Sequence, residues 1–132
     1  MTTVEYGFEK QLSGVSLAEA RKRVTSALAA EGFGILTEID VSATLKKKLD
    51  VDFRPYVILG ACNPTLAHQA LQGDPHIGLL LPCNVVVQEV SGGTSVSIAS
   101  PRVMFSVVQR DDLEPTVTEA ETRLRRVLDT LG

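Results

Sequence analysis

The sequence predicts an α+β fold: a single, largely antiparallel sheet with two long helices packed on one face and short helical insertions. Three observations predict it. Extended apolar segments recur along the chain, some alternating with period two. Two longer stretches, one near each end, carry apolar residues at helical spacing. A Gly92-Gly93 pair between two apolar runs marks a tight hairpin, a feature of antiparallel sheets. The chain of 132 residues and 14.2 kDa should fold to roughly 6,800 Å² of surface, enough for one core. We therefore expect one domain over residues 1–132.

The elements follow in order. Val4, Tyr6 and Phe8 alternate with Glu5, Gly7 and Glu9, which predicts one strand from Thr3 to Leu12. Ser16-Leu17-Ala18-Glu19 is a capping-box pattern. Leu17, Ala20, Val24, Ala27 and Leu28 then mark a helix over about 16–31, with Gly32 placed for a left-handed cap. Phe33 to Val41 reads as a strand, with Phe33, Ile35, Thr37 and Ile39 on one face and Leu36, Glu38 and Asp40 on the other. Ser42 can cap a short helix with Leu45 and Leu49 inward. Arg54-Pro55 ends that segment, because a residue before proline avoids helical angles. Tyr56 to Cys62 is apolar on both faces and reads as a covered central strand.

Asn63-Pro64 starts a short helix to about Leu71, and Asp74-Pro75 starts another through Leu80. Cys83 to Val90 and Thr94 to Ala99 form the hairpin, with Val96 and Ile98 inward. Ser100-Pro101 begins a short helix over about 101–108. The last helix starts at Asp111 or Asp112, and Leu113, Val117, Ala120, Leu124, Val127, Leu128 and Leu131 form its inner stripe. Helices confined to one sheet face leave the other face to be covered, in part by the short helices. A second copy of the chain can cover the rest, so a homodimer is expected.

Composition narrows the function. A net charge of −3 argues against a nucleic-acid partner held by phosphate neutralisation. Aromatics are 5% and tryptophan is absent, so stacking platforms for bases or sugars are poorly supplied. The apolar run Ile77 to Val87 is short and broken by Gly78, Pro82, Cys83 and Asn84, so no membrane partner is expected. The N-terminus lacks a basic and then apolar stretch, which points to a cytoplasmic address. There, Cys62 and Cys83 are two thiols rather than a disulfide framework. The signatures of a Rossmann loop, a P-loop, a nucleophile elbow, a Cys-x-x-Cys pair and a zincin are all missing.

The main chemical candidate is the pair of segments Cys62-Asn63-Pro64 and Pro82-Cys83-Asn84. One Cys-Asn pair ends a strand and the other begins one. If those strands are antiparallel neighbours, both thiols meet at one end of the sheet. Cys62 also precedes a helix start, where the dipole favours a thiolate. The competing reading is two cysteines packed as small hydrophobes. His68 and His76 lie between them, so a soft metal ion on Cys62, Cys83 and His68 is a candidate cofactor, although the spacing matches no zinc finger or ribbon. Glu38 and Asp40 share a face and can act as an acid–base pair or as a salt-bridged edge with Arg54 or the Lys46-Lys47-Lys48 run.

Five segments carry a family resemblance: Gly34-Ile35-Leu36-Thr37-Glu38-Ile39-Asp40-Val41, Thr44-Leu45-Lys46-Lys47-Lys48-Leu49, Asp52-Phe53-Arg54-Pro55-Tyr56, Leu59-Gly60-Ala61-Cys62-Asn63-Pro64 and Ile77-Gly78-Leu79-Leu80-Leu81-Pro82-Cys83-Asn84-Val85. Together they resemble the DUF302 family of small bacterial and archaeal proteins. The resemblance implies a compact α+β fold on an antiparallel sheet, in a stand-alone and dimeric protein. It implies no activity and no catalytic residue.

Three functions fit these residues. The first is a dimeric binding module, with a small ligand or soft metal held by Cys62, Asn63, Cys83, Asn84, Glu38 and Arg54. The second is a thiol-based redox enzyme or sulfur carrier, with Cys62 as nucleophile and Cys83 as resolving thiol. The third is a structural dimer with inert thiols.

Overall fold

The structure is a computed structural model that describes residues 1–131. Six strands form one antiparallel sheet: β1 (Thr2–Val4), β2 (Gly7–Ser13), β3 (Gly34–Asp40), β4 (Tyr56–Cys62), β5 (Cys83–Val90) and β6 (Gly93–Ala99). Their order across the sheet is β1-β2-β6-β5-β4-β3. Two long helices, α1 (Leu17–Ala30) and α5 (Glu114–Asp129), pack on each other and on one sheet face. The shorter helices are α2 (Val41–Leu49), α3 (Pro64–Gly73) and α4 (Pro101–Phe105), with 3-10 turns at Pro75–Leu80 and Asp111–Leu113. The fold is therefore α+β, as the periodicity predicts. Among the described residues, no helix is long and apolar enough to cross a membrane.

The main core lies between the helices and the sheet. Phe8, Leu59, Val85, Val87, Val96 and Ile98 rise from the strands to meet Val24 and Leu28 of α1 and Leu124 and Leu128 of α5. Period-two and period-3.6 stripes face each other here, which is why the sequence pattern finds this layer. A second, smaller cluster of Ala70, Ile77, Leu113 and Val117 sits among α3, the 3-10 turns and the start of α5.

The helix ends agree with the sequence in most respects. Ser16 Oγ accepts from the Glu19 amide at 3.1 Å, and Gly32 takes φ +84° just past the end of α1. The Glu19 carboxylate turns to Arg23 instead of reaching back to the cap. Ser42 does not cap α2. Asp40 does, accepting from the Ala43 amide at 2.9 Å, and Ser42 Oγ donates to the same carboxylate. The helix ends early at Asp50, in the left-handed region, and Leu49 faces solvent rather than the core.

Two strand expectations are corrected. The first strand is two, folded back at Glu5-Tyr6 so that Val4 pairs with Gly7 and Tyr6 is exposed. Strand β3 carries a bulge between Ile35 and Thr37. Ile35 lies opposite Ala61 and Glu38 opposite Leu59, on the helix side of the sheet, while Thr37 and Ile39 lie opposite Gly60 and Ile58 on the other side. One extra residue reverses the alternation, so Ile35 and Thr37 do not share a face.

Candidate functional site

Strands β4 and β5 are antiparallel neighbours, and their register sets Ala61 opposite Cys83. Cys62, one residue past Ala61, is thus close to Cys83 at one end of the sheet, but strand alternation sets it on the face of Gly60 and Asn84. Both cysteines are free, and both residues border one cleft. Phe33 and Ala61 form its floor, Leu66, Ala67 and Ala70 of α3 form one wall, and Thr116, Val117 and Ala120 of α5 form the other. Leu81, Pro101 and Phe105 close it from the side. Among the described residues, no charged one lines the cleft. Its free volume is about 40 Å³, room for about three water-sized groups. Leu81, Cys83, Pro101 and Phe105 separate it from an outer cleft of about 230 Å³, which Leu79, Met104 and Asn84 also line.

Burial sets the chemistry of the thiols. It pushes the Cys83 thiol up to about 11, with the nearby Cys62 adding to the rise, and it raises Cys62 as well. The dipole at the start of α3 was expected to favour a Cys62 thiolate. Burial acts the other way here, raising both thiols above their ordinary pKa and favouring the neutral form.

Asn63 has a structural task. Its Oδ1 accepts from the Leu66 amide at 3.1 Å, capping α3, and its Nδ2 donates to the Glu31 carbonyl at 3.4 Å. Its side chain is therefore spent before any ligand arrives. Asn84 is exposed on the opposite sheet face to Cys83 and lines the outer cleft. Of the six expected ligand-binding residues, Cys62, Asn63, Cys83 and Asn84 gather at this end of the sheet.

Glu38 and Arg54 do not. Glu38 lies four positions along β3 from Gly34, the partner of Cys62, or about 13 Å away. Its carboxylate takes the Arg21 Nε at 2.7 Å, and that pairing holds its pKa below the usual carboxylate range. Its partner is Arg21 of α1, not Arg54 or the lysine run, because the bulge turns it to the helix side. Asp40 is occupied as the α2 cap, so the two carboxylates form no acid–base pair. Arg54 sits before β4 at the end away from Cys62, about 20 Å off. It donates to Gln88 Oε1 at 2.9 Å and lies 4.5 Å over the Phe53 ring.

The expected metal set does not assemble. His68 is exposed on α3 and absent from the cleft wall. His76 is exposed beside Asp74, its ring Nδ1 3.5 Å from the carboxylate. Among the described residues, no three His, Cys, Asp or Glu side chains come together to hold an ion. The helical spacing of α3 explains this: the face carrying Leu66 and Ala70 turns inward, which turns His68 out.

Sequence reading missed Phe105 and Glu121. Phe105 lines both clefts. Glu121 is buried on α5; its Oε1 accepts from Ser100 Oγ at 2.7 Å and from the Arg102 amide at 3.3 Å, and Arg125 donates to its Oε2. It thereby ties down the start of α4, the helix that carries Phe105. The available signal was an acidic residue inside the stripe Val117, Leu124 and Leu128, where it must find donors if buried.

The comparisons agree with this architecture. No curated protein matches the chain. The chain is similar to a solved structure described as an uncharacterized conserved protein DUF302 from Bacillus stearothermophilus, with 29% identity, a TM-score of 0.87, and coverage of 96% of this chain and 98% of that one. The family model described as domain of unknown function DUF302 matches residues 8–131. The chain belongs to the DUF302 family.

Proposed function

We propose that the protein is a binding module whose small-molecule ligand seats a short apolar group between Cys62 and Cys83. The observation that supports this reading is the shared cleft: two free cysteines and largely apolar residues border a space with no charged lining among the described residues. Its small inner volume suits a methyl- or ethyl-sized group, and the outer cleft suits the remainder of the ligand. Asn84 in the outer cleft is the polar group free to orient it. A cytosolic, reducing location fits two thiols that act in reduced form.

The thiol-enzyme reading has one favourable observation, the proximity of the two cysteines. Their raised pKa values weigh against it, because the attacking species is a thiolate.

The test uses n-alkyl carboxylates from propionate to octanoate as probes, followed through the methyl resonances of Leu66 and Val117. We expect saturable shifts at these methyls, slower labelling of Cys62 by iodoacetamide when probe is present, and loss of both effects in Ala67→Phe. Shifts that persist unchanged in a folded Ala67→Phe, or no shift at millimolar probe, would overturn the reading.

A further inference from the structure

The inner and outer clefts share Leu81, Cys83, Pro101 and Phe105, so they adjoin as two compartments of about 40 Å³ and about 230 Å³. Leu79 and Met104 carry the apolar lining outward, and Asn84, exposed on β5, adds a neutral amide at the rim. Among the described residues, neither compartment is lined by a charged side chain. The charged residues next to this lining in the chain are engaged elsewhere. Arg102 follows Pro101, but its Nη1 donates to Glu114 Oε1 at 2.7 Å and its Nη2 to Thr118 Oγ1 at 2.9 Å, and it borders a different depression. Glu121 follows Ala120, yet its oxygens accept from Ser100, the Arg102 amide and Arg125. The local medium also disfavours charge: burial raises the pKa of the Cys83 thiol, which borders both compartments, to about 11.

We propose that the ligand of this site is an uncharged amphiphile: an aliphatic chain that fills both compartments and ends in a neutral hydroxyl or amide group bonded to Asn84. The assignment rests on the cleft being the ligand site, and adds the ligand's charge and its polar end. A carboxylate or ammonium group seated here gives up its water without meeting an opposite charge, which is costly. A hydroxyl gives up less, and the Asn84 amide offers it an acceptor and two donors. Alkyl carboxylates can still enter by their apolar ends with the charged group left in water. They therefore bind more weakly than neutral analogues of the same chain length.

Three probes of equal chain length test it: 1-hexanol, hexanoate and hexylamine, titrated into the full chain at pH 7, where the last two are charged. Binding is read from the methyl resonances of Leu66 and Val117 in the inner cleft and Met104 in the outer one. Hexanol should bind about tenfold or more tightly than either charged probe. Asn84→Ala, at an exposed position, should weaken hexanol by about threefold to tenfold, the loss of one hydrogen bond. Asn84→Asp should favour hexylamine over hexanoate, because it places a negative charge at the rim. Hexanoate or hexylamine binding as tightly as hexanol would overturn the neutral-ligand assignment and leave the cleft a ligand site. Hexanol binding that Asn84→Ala leaves unchanged would overturn it as well. No shift with any of the three probes would instead remove the cleft as a ligand site, and the assignment with it.

Discussion

Cys83 shows how one residue's meaning depends on its surroundings. By composition it is a thiol in a polar turn; in the fold it is enclosed by Ala61, Leu81 and Phe105, and burial lifts its pKa to about 11. Because the neutral form is favoured in the folded chain, the unfolded chain loses this proton first as pH rises. Stability from this group is intact below about pH 9 and is lost between about pH 9 and 11. Two pKa units correspond to about 2–3 kcal/mol. Urea unfolding at pH 8 and pH 10.5 should show this loss, and Cys83→Ala should reduce the difference; an unchanged pH slope in that variant would contradict it. Asn63 and Glu38 make the converse point. Both look reactive in a list of residues, yet one caps α3 and the other pairs with Arg21 at the surface, where such pairs contribute less than about 1 kcal/mol.

Among the elements, β3 departs furthest from its pattern, and Gly60 is the residue that permits the departure. The bulge turns Thr37 toward the face of Gly60, and the Pro82 ring closes over the same spot, so a Cβ at position 60 would lie 2.8 Å from Pro82 Cγ and nearer still to Thr37 Oγ1. The glycine is needed because the Thr37 and Pro82 side chains approach so closely, not for an unusual backbone angle. Gly60→Ala should therefore destabilise the fold by about 1–3 kcal/mol, and adding Thr37→Ala should restore part of that. Equal stability of Gly60→Ala and the parent in thermal unfolding would show that the approach is looser than described. The helix boundaries of α1 and α3 were legible because each is written locally, in Ser16 with Gly32 and in Asn63 with Pro64. The bulge was not, because two-residue alternation continues unbroken through Ile35, Thr37 and Ile39 while the backbone changes face.

At the scale of the whole molecule, two apolar clusters of unequal size imply unequal stability. The large one joins α1 and α5 to the sheet; the small one, around Ile77 and Leu113, holds α3, the 3-10 turns and the region of α4 to the start of α5. Less buried area resists opening less, so amides over 64–80 and 101–113 should exchange at a lower free energy than those of β5 and β6. Ile77→Ala should lower protection of that region by about 2–4 kcal/mol and leave the central strands protected. Uniform loss of protection across the chain would mean a single cooperative unit instead. The clefts beside Cys62 and Cys83 border this smaller cluster. The sequence by itself determined the positions of β3 to β6, the two long helices, their shared apolar layer and the family to which the chain belongs, because periodicity, caps and turns act over a few residues. The tertiary structure alone decided that Cys62 and Cys83 border one cleft, that His68, Glu38 and Arg54 stand apart from it, and that burial raises the pKa of both thiols. Those outcomes depend on strand register and on desolvation by groups distant in the chain, and neither is encoded in local spacing.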